Sequence, residues 1–132
     1  MVAIPSDYLD LLQSKTTFAH LATVMADGTP QVTPVWFDYK NGIVRVNTAR
    51  GRTKARNLKP GAPVALAIMD PDNPYRYVQV RGKVRSVTED GADAHIDLLA
   101  KKYLGQEKYP YGQPGEVRLL AEIEPASMTG SG

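Results

Sequence analysis

The chain of 132 residues contains no cysteine, which excludes disulfides, thiolate metal ligands and cysteine nucleophiles together, and leaves no need for an oxidising compartment. Histidine is nearly as scarce. The two present, His20 and His95, fall in a strand-like and a helix-like stretch and join neither a Ser/His/Asp set nor an HExxH pattern, so both read as structural. Long apolar runs are missing too. No stretch approaches the ~20 residues of a membrane span, and the opening MVAIPSDYLDLL lacks the basic n-region and long apolar core of a secretory leader. A soluble cytoplasmic protein without membrane contact is the expectation. The net charge of +2 is slight, so a nucleic-acid partner is not expected. Neither GxxxxGK(S/T) nor GxGxxG occurs, and Asp70 and Asp72 in DPDNP offer too few ligands for a metal site.

What is present is concentrated in one stretch, Asn47 to Leu58, which reads NTARGRTKARNL. Arg50, Arg52, Lys54, Arg56 and Lys59 place five of the sixteen basic residues within ten positions. The alternating run Ile43, Val44, Val46 leads into a strand ending near Ala49, Gly51 eases a turn, and a short helix opens at Thr53. The free N–H groups and positive dipole end of that helix would face the same anion as the side chains, and a phosphate fits the description. A solvated basic turn has the same composition, and these residues alone leave both readings open.

The flanking chain reads as strands. An amphipathic helix is expected from Ser6 to Ser14, then a strand from Thr17 to Met25, a turn at Ala26-Asp27-Gly28-Thr29, and a second strand from Gln31 to Tyr39. Pro34 lacks a ladder donor and marks an edge or a bulge. Lys40-Asn41-Gly42 turns the chain into the strand that feeds the basic segment. The helix from Thr53 must stop by Lys59, before Pro60-Gly61. Strands follow over Pro63–Met69 and Tyr75–Val87, with room for a bend at Gly82. A helix over Asp90–Leu104 is closed by Gly105, an irregular loop runs to Gly115, and a last strand spans Glu116–Ile123 before Pro125. Residues 126–132 read as a flexible tail. About six strands and three helices make one mainly β domain over 1–132, with an N-terminal helix in 1–15. An antiparallel barrel is the natural packing, and one this small often completes its burial with a second copy. Trp36, beside the strand-disrupting proline, suits either a stacking wall for a planar ring or the core.

Three segments carry a resemblance: VTPVWFD (32–38), VNTARGRTKARNL (46–58) and YVQVRGKV (77–84). In their order they resemble the pyridoxamine-phosphate-oxidase-like flavin-binding split barrels, within them the small deazaflavin (coenzyme F-420)-dependent oxidoreductases of actinobacteria. The likeness runs from the first helix to about Pro125. It implies a six-stranded antiparallel split barrel of Greek-key type and a homodimer with cofactor sites at its interface. Carried onto this chain, Arg52 and Lys54 take the phosphate, supported by Arg50, Arg56 and Asn57. Gln31, Thr33, Pro34, Val35 and Trp36 line the ring, Asn47 and Thr48 sit between ring and phosphate, and Gln79 contributes from a neighbouring strand. The implied reaction passes a hydride from reduced coenzyme F-420 to a small electrophilic acceptor, an activated C=C bond or a quinone. Solvent or a tyrosine such as Tyr77 or Tyr111 would supply the proton. The alternatives are an FMN-binding flavin reductase or oxidase and a non-enzymatic flavin carrier. The chain is much shorter than true pyridoxamine phosphate oxidases, which speaks against vitamin B6 oxidation. The cations of 50–59 suit a cofactor with charge beyond its phosphate, such as a polyglutamate tail.

Overall fold

Strand β1 (Ala19–Val24) is closed onto β2 (Pro30–Val35) by the Asp27-Gly28 turn, where Gly28 takes φ 89° and the Thr29 N–H donates to Asp27 Oδ1 at 3.0 Å. The computed structural model describes residues 5–132. In it the second strand expected over Gln31–Tyr39 is two strands: after Trp36 the chain resumes as β3 (Phe37–Lys40) and turns through Asn41 and Gly42, φ 53° and 80°, into β4 (Ile43–Ala49). This break accounts for seven strands where six were expected.

The remaining strands are β5 (Pro63–Asp70), β6 (Asn73–Thr88) and β7 (Arg118–Ser131), and all pairings are antiparallel in the order β2-β1-β5-β6-β7-β4-β3. The two edges of the sheet are therefore consecutive in the chain, joined by Trp36 alone. The sheet must curl until those edges meet, which makes a mainly β split barrel and puts Trp36 at the split.

The C-terminal tail is not loose. Strand β7 continues through Pro125 to Ser131, pairing Met128 with Val80 and Ser131 with Tyr77, because the sixteen-residue β6 offers a ladder that long. Pro125 survives mid-strand because it sits where the register slips: Gly82 faces Pro125 while Arg81 faces Ser127, so Ala126 is the extra residue of a bulge.

Alternation fills the barrel. Leu66, Ile68, Val78, Val80 and Ile123 point inward with Phe37, Val44 and Val46, and each fully buried side chain of this size contributes roughly 1.5–3 kcal/mol. The N-terminal helix is shorter than expected, a 3₁₀ turn at Ser6–Tyr8 followed by α1 (Leu9–Gln13), and the part of the expected 1–15 segment before residue 5 lies outside the described residues. Leu11 and Leu12 are buried in the core. Arg76 of β6 fastens this end by donating to Asp10 at 2.5 Å and Asp70 at 2.8 Å. The Asp72 N–H, with Arg76 and Lys15, holds the Asp70 carboxyl down at about 2 against the opposing effect of desolvation.

Helix α2 (Thr53–Asn57) and helix α3 (Ala92–Leu104) complete the chain, α3 ending at Gly105 with φ 72°. Strand β3 is a sheet edge, and α3 covers its start: Tyr103 Oη accepts from the Phe37 N–H at 3.1 Å and Lys102 Nζ donates to the Phe37 carbonyl at 2.8 Å. Among the described residues no helix is long and apolar enough to cross a membrane.

Candidate functional site

Strand β4 ends beside the split, and Gly51, at φ 95°, turns the chain into α2. With five residues α2 has little dipole, so the positive potential here comes from side chains rather than from the helix end expected to share it. Lys54 is half-buried and its Nζ reaches Thr33 Oγ1 at 3.3 Å. Burial, then the charges of Arg52 and Arg118, hold its ammonium below the usual lysine range. Arg118, at the start of β7, is buried, so the sheet delivers a third cation to the pair from the basic turn. Glu116 is the carboxylate among them, accepting from Arg118 Nη1 at 3.0 Å and lying 3.7 Å from Arg52 Nη2. Three cations against one carboxylate leave an excess that an anion would relieve.

The cations open onto an aromatic wall. Trp36 stacks on Tyr103 with centroids 5.1 Å apart and planes 7° from parallel, and meets Tyr109 edge-on at 6.1 Å. Tyr109 in turn meets Tyr111 edge-on at 5.7 Å and lies 5.2 Å under the Arg118 guanidinium. Trp36, Tyr109, Tyr111 and Arg118 line a cleft of about 180 Å³ with Pro34, Val35, Asn47, Arg52, Lys54, Ile96 and Leu99, and Tyr103 backs Trp36 from outside it. Tyr103 is not free to exchange a proton there. Its hydroxyl donates to the Thr17 carbonyl at 2.5 Å, and burial pushes its phenol up to about 12.

Behind the cleft lies a chain of polar groups, of which His95 and Arg118 are buried and the other side chains half-buried. Arg118 Nε donates to Asn47 Oδ1 at 2.8 Å, and Asn47 Nδ2 donates to the Ala92 carbonyl at 2.9 Å and lies 3.1 Å from His95 Nδ1. His95 Nε2 lies 2.7 Å from Asp38 Oδ1, and Arg45 closes the set by a direct ion pair with Asp38. Burial alone would raise the Asp38 carboxyl, but the hydrogen bonds from His95 and Arg45 outweigh it and bring it below the usual range.

Of the residues singled out from sequence, Pro34, Val35, Trp36, Asn47, Arg52 and Lys54 come together at this cleft. Three others brace it from behind: Asn57 Nδ2 donates to Thr23 Oγ1 and Thr23 Oγ1 to Gln31 Oε1, both at 3.0 Å, while Thr33 receives Lys54. The rest are elsewhere. Arg50 is exposed and paired with Glu89 at 2.9 Å, and Arg56 folds back on the Gly51 carbonyl at 2.9 Å. Thr48 is fully buried among the core-facing residues of β4, and its hydroxyl is without a hydrogen-bond partner. Gln79 is exposed on the outer face of β6, beside Ala67 and Thr129. Arg118, Tyr109, Ile96 and Leu99 were not singled out, since they lie 38 to 60 residues beyond the NTARGRTKARNL stretch, and only the β4–β7 pairing and α3 bring them in. Among the described residues no group of three His, Asp or Glu is placed to hold a metal.

A larger groove of about 740 Å³ lies apart from this cleft, over β1, β5, β6 and the β7 bulge, and is lined mainly by small and aliphatic residues with Arg81 and Lys83.

The family model for pyridoxamine 5'-phosphate oxidase matches residues 5–130. The solved structure of an F-420 reductase is 34% identical and superposes with a TM-score of 0.81 over 96% of this chain and 98% of its own. A conserved hypothetical protein from Mycobacterium tuberculosis is 21% identical over 99% and 86% of the two chains, with a TM-score of 0.71. A FAD- and haem-binding protein from Mycobacterium smegmatis is 17% identical over 98% and 71%, with a TM-score of 0.72. These last two likenesses show the fold alone. No curated protein matches the chain.

Proposed function

The chain belongs to the pyridoxamine 5'-phosphate oxidase family, and from that premise we propose that it is an oxidoreductase that binds the deazaflavin coenzyme F-420 and passes a hydride to an activated C=C bond or a quinone. The observation that carries this reading is the convergence of Arg52, Lys54 and Arg118 on one cleft walled by Trp36, Tyr109 and Tyr111. That arrangement suits a ligand with a planar ring at one end and a phosphate at the other. The donor set fits: an ammonium held down by its burial and then by two neighbouring guanidiniums is the environment a phosphate would restore. The similarity to an F-420 reductase favours the deazaflavin over FMN.

When bound, the cofactor supplies the hydride. The chain's own residues orient and anchor. Arg52 and Lys54 take the phosphate with Arg118 beside them, Trp36 and Val35 border the ring, and the aromatic wall keeps water from it. Of the two tyrosines considered as proton sources, Tyr111 lines the cleft and is 59% exposed, whereas Tyr77 stands on the outer face of β6 beside Met69. Within one chain Tyr111 or solvent delivers the proton, and Tyr77 could do so only across a dimer packed through that face.

A cleft of about 180 Å³ is smaller than the roughly 300–1,000 Å³ usual for sites that enclose a ligand of this size. A second copy of the chain would complete it. Register supports the face involved: Pro34, His20, Ala67 and Gln79 lie in one row across β2, β1, β5 and β6, and Val32, Ala22, Ala65 and Arg81 lie in another. Both rows are outward-facing, the second mostly small or apolar with Val32 62% exposed, the first half apolar with His20 and Gln79 as its polar members. In a homodimer packed through this face, Gln79 of one copy reaches the cleft of the other from the row that holds Pro34.

The test is turnover. Reduced coenzyme F-420 mixed with the protein and a quinone or enone is expected to be reoxidised at a rate proportional to protein concentration. Reoxidation of reduced FMN but not of reduced F-420 would move the protein to the flavin reductase reading. Turnover of neither would leave a carrier.

A further inference from the structure

The polar chain behind the cleft has one self-consistent assignment of protons. Arg118 Nε can only donate, so the Asn47 atom facing it at 2.8 Å is the amide oxygen. The Asn47 NH₂ then faces the Ala92 carbonyl and His95 Nδ1, and His95 must accept at Nδ1. Its other nitrogen donates to the Asp38 carboxylate, which Arg45 keeps charged. His95 is 3% exposed and Arg118 7%. Every group from Asp38 to Arg118 is thereby satisfied, and the direction of each hydrogen bond is fixed by its neighbour.

We propose that His95, which does not line the cleft, is a positioning residue for the anion site: its Nδ1 lone pair fixes the Asn47 amide so that Oδ1 faces and holds the Arg118 guanidinium. The proposal rests on reading the cleft as an anion subsite. Without the acceptor at Nδ1, the Asn47 NH₂ keeps only the Ala92 carbonyl, and the amide is held less firmly in the plane that faces Arg118. The contact that orders the Arg118 Nε edge is then weakened, and Arg118 relies on Glu116 and the Tyr109 ring.

Two substitutions separate this role from general support. His95→Asn places a carbonyl oxygen where Nδ1 stands, keeping the acceptor for Asn47 while losing the contact to Asp38. His95→Gln places its polar end where Nε2 stands, keeping the contact to Asp38 while losing the acceptor. In ¹⁵N-labelled protein without ligand, the Arg118 Nε–H resonance is expected to be sharp and slowly exchanging, to persist in His95→Asn, and to broaden in His95→Gln. Affinity for inorganic phosphate should fall about tenfold in His95→Gln, the effect of losing one charge-assisted contact, and recover most of that in His95→Asn. Equal loss in both variants, or no loss in either, would overturn the proposal. Should His95→Gln fail to fold, the imidazole ¹⁵N shifts of the unmodified protein decide it: a proton on Nε2 and none on Nδ1 is expected, and the opposite tautomer overturns it. The Arg118 pattern found as expected in a protein that binds phosphate but not coenzyme F-420 would support the positioning role while removing the deazaflavin reading.

Discussion

Lys54→Ala combined with Arg118→Ala is expected to weaken cofactor binding by about 3–5 kcal/mol, two to four orders of magnitude in dissociation constant, since each removes a charge-assisted contact to the phosphate. On the proposed reading the two residues share one anion, and the charge of Arg118 acts on Lys54, so the double variant should fall short of the sum of the singles. Their effects on stability differ in sign. The ammonium of Lys54 is disfavoured in the folded chain by burial and by Arg52 and Arg118, so removing it relieves a cost and should leave the melting temperature unchanged or slightly higher. Removing the buried Arg118 strands Asn47 Oδ1 and one oxygen of Glu116, and should lower it. Titration of the single and double variants, with a melting curve for each, checks both parts. Affinity that survives the double change would show that the phosphate binds elsewhere.

Gly82→Ala is expected to destabilise the fold by about 3 kcal/mol or more, read as a drop in the midpoint of urea unfolding. A Cβ at this position would lie 2.2 Å from the carbonyl oxygen of Glu124 and 3.0 Å from the Cα of Pro125. Both are backbone atoms of the partner strand, so no side-chain rotation removes the clash and β6 and β7 must separate. The register slips at this point, and the Pro125-Ala126 bulge on β7 needs β6 to come this close. A loss below about 1 kcal/mol, the ordinary effect of a glycine change in a strand, would mean that the bulge yields easily.

The difference between those two changes also shows what the sequence could and could not reveal. A bend at Gly82 was legible because glycine interrupts an otherwise alternating strand, and both hairpin turns were legible because Asp27-Gly28 and Asn41-Gly42 supply positive φ. The reason for the bend was not, since Glu124 is 42 residues away. In the same way, Pro34 announced an edge, but only pairing shows that the strand ends at Val35, that Trp36 bridges the two edges, and that an extra strand results. The tail failed for a related cause: SMTGSG carries little strand propensity of its own, and its order comes from the ladder that β6 offers.

The site divides along the same line. The basic turn is contiguous, so its cations were visible as a group, and Arg52 and Lys54 do face the cleft. Composition could not tell them from Arg50 and Arg56, which lie on the same turn but find Glu89 and the Gly51 carbonyl. Arg118 and the His95–Asn47 contact depend on β4 pairing with β7 and on α3 packing beside them, which are tertiary facts with no local signal.

The most direct measurement is titration of the unliganded protein with coenzyme F-420 and with FMN at equal ionic strength, followed by the fluorescence of Trp36. That residue is the only tryptophan, and it lines the cleft. Quenching at markedly lower concentrations of coenzyme F-420 than of FMN is the expected result. Tighter binding of FMN, or binding of the deazaflavin that leaves the Trp36 emission unaltered, would contradict it.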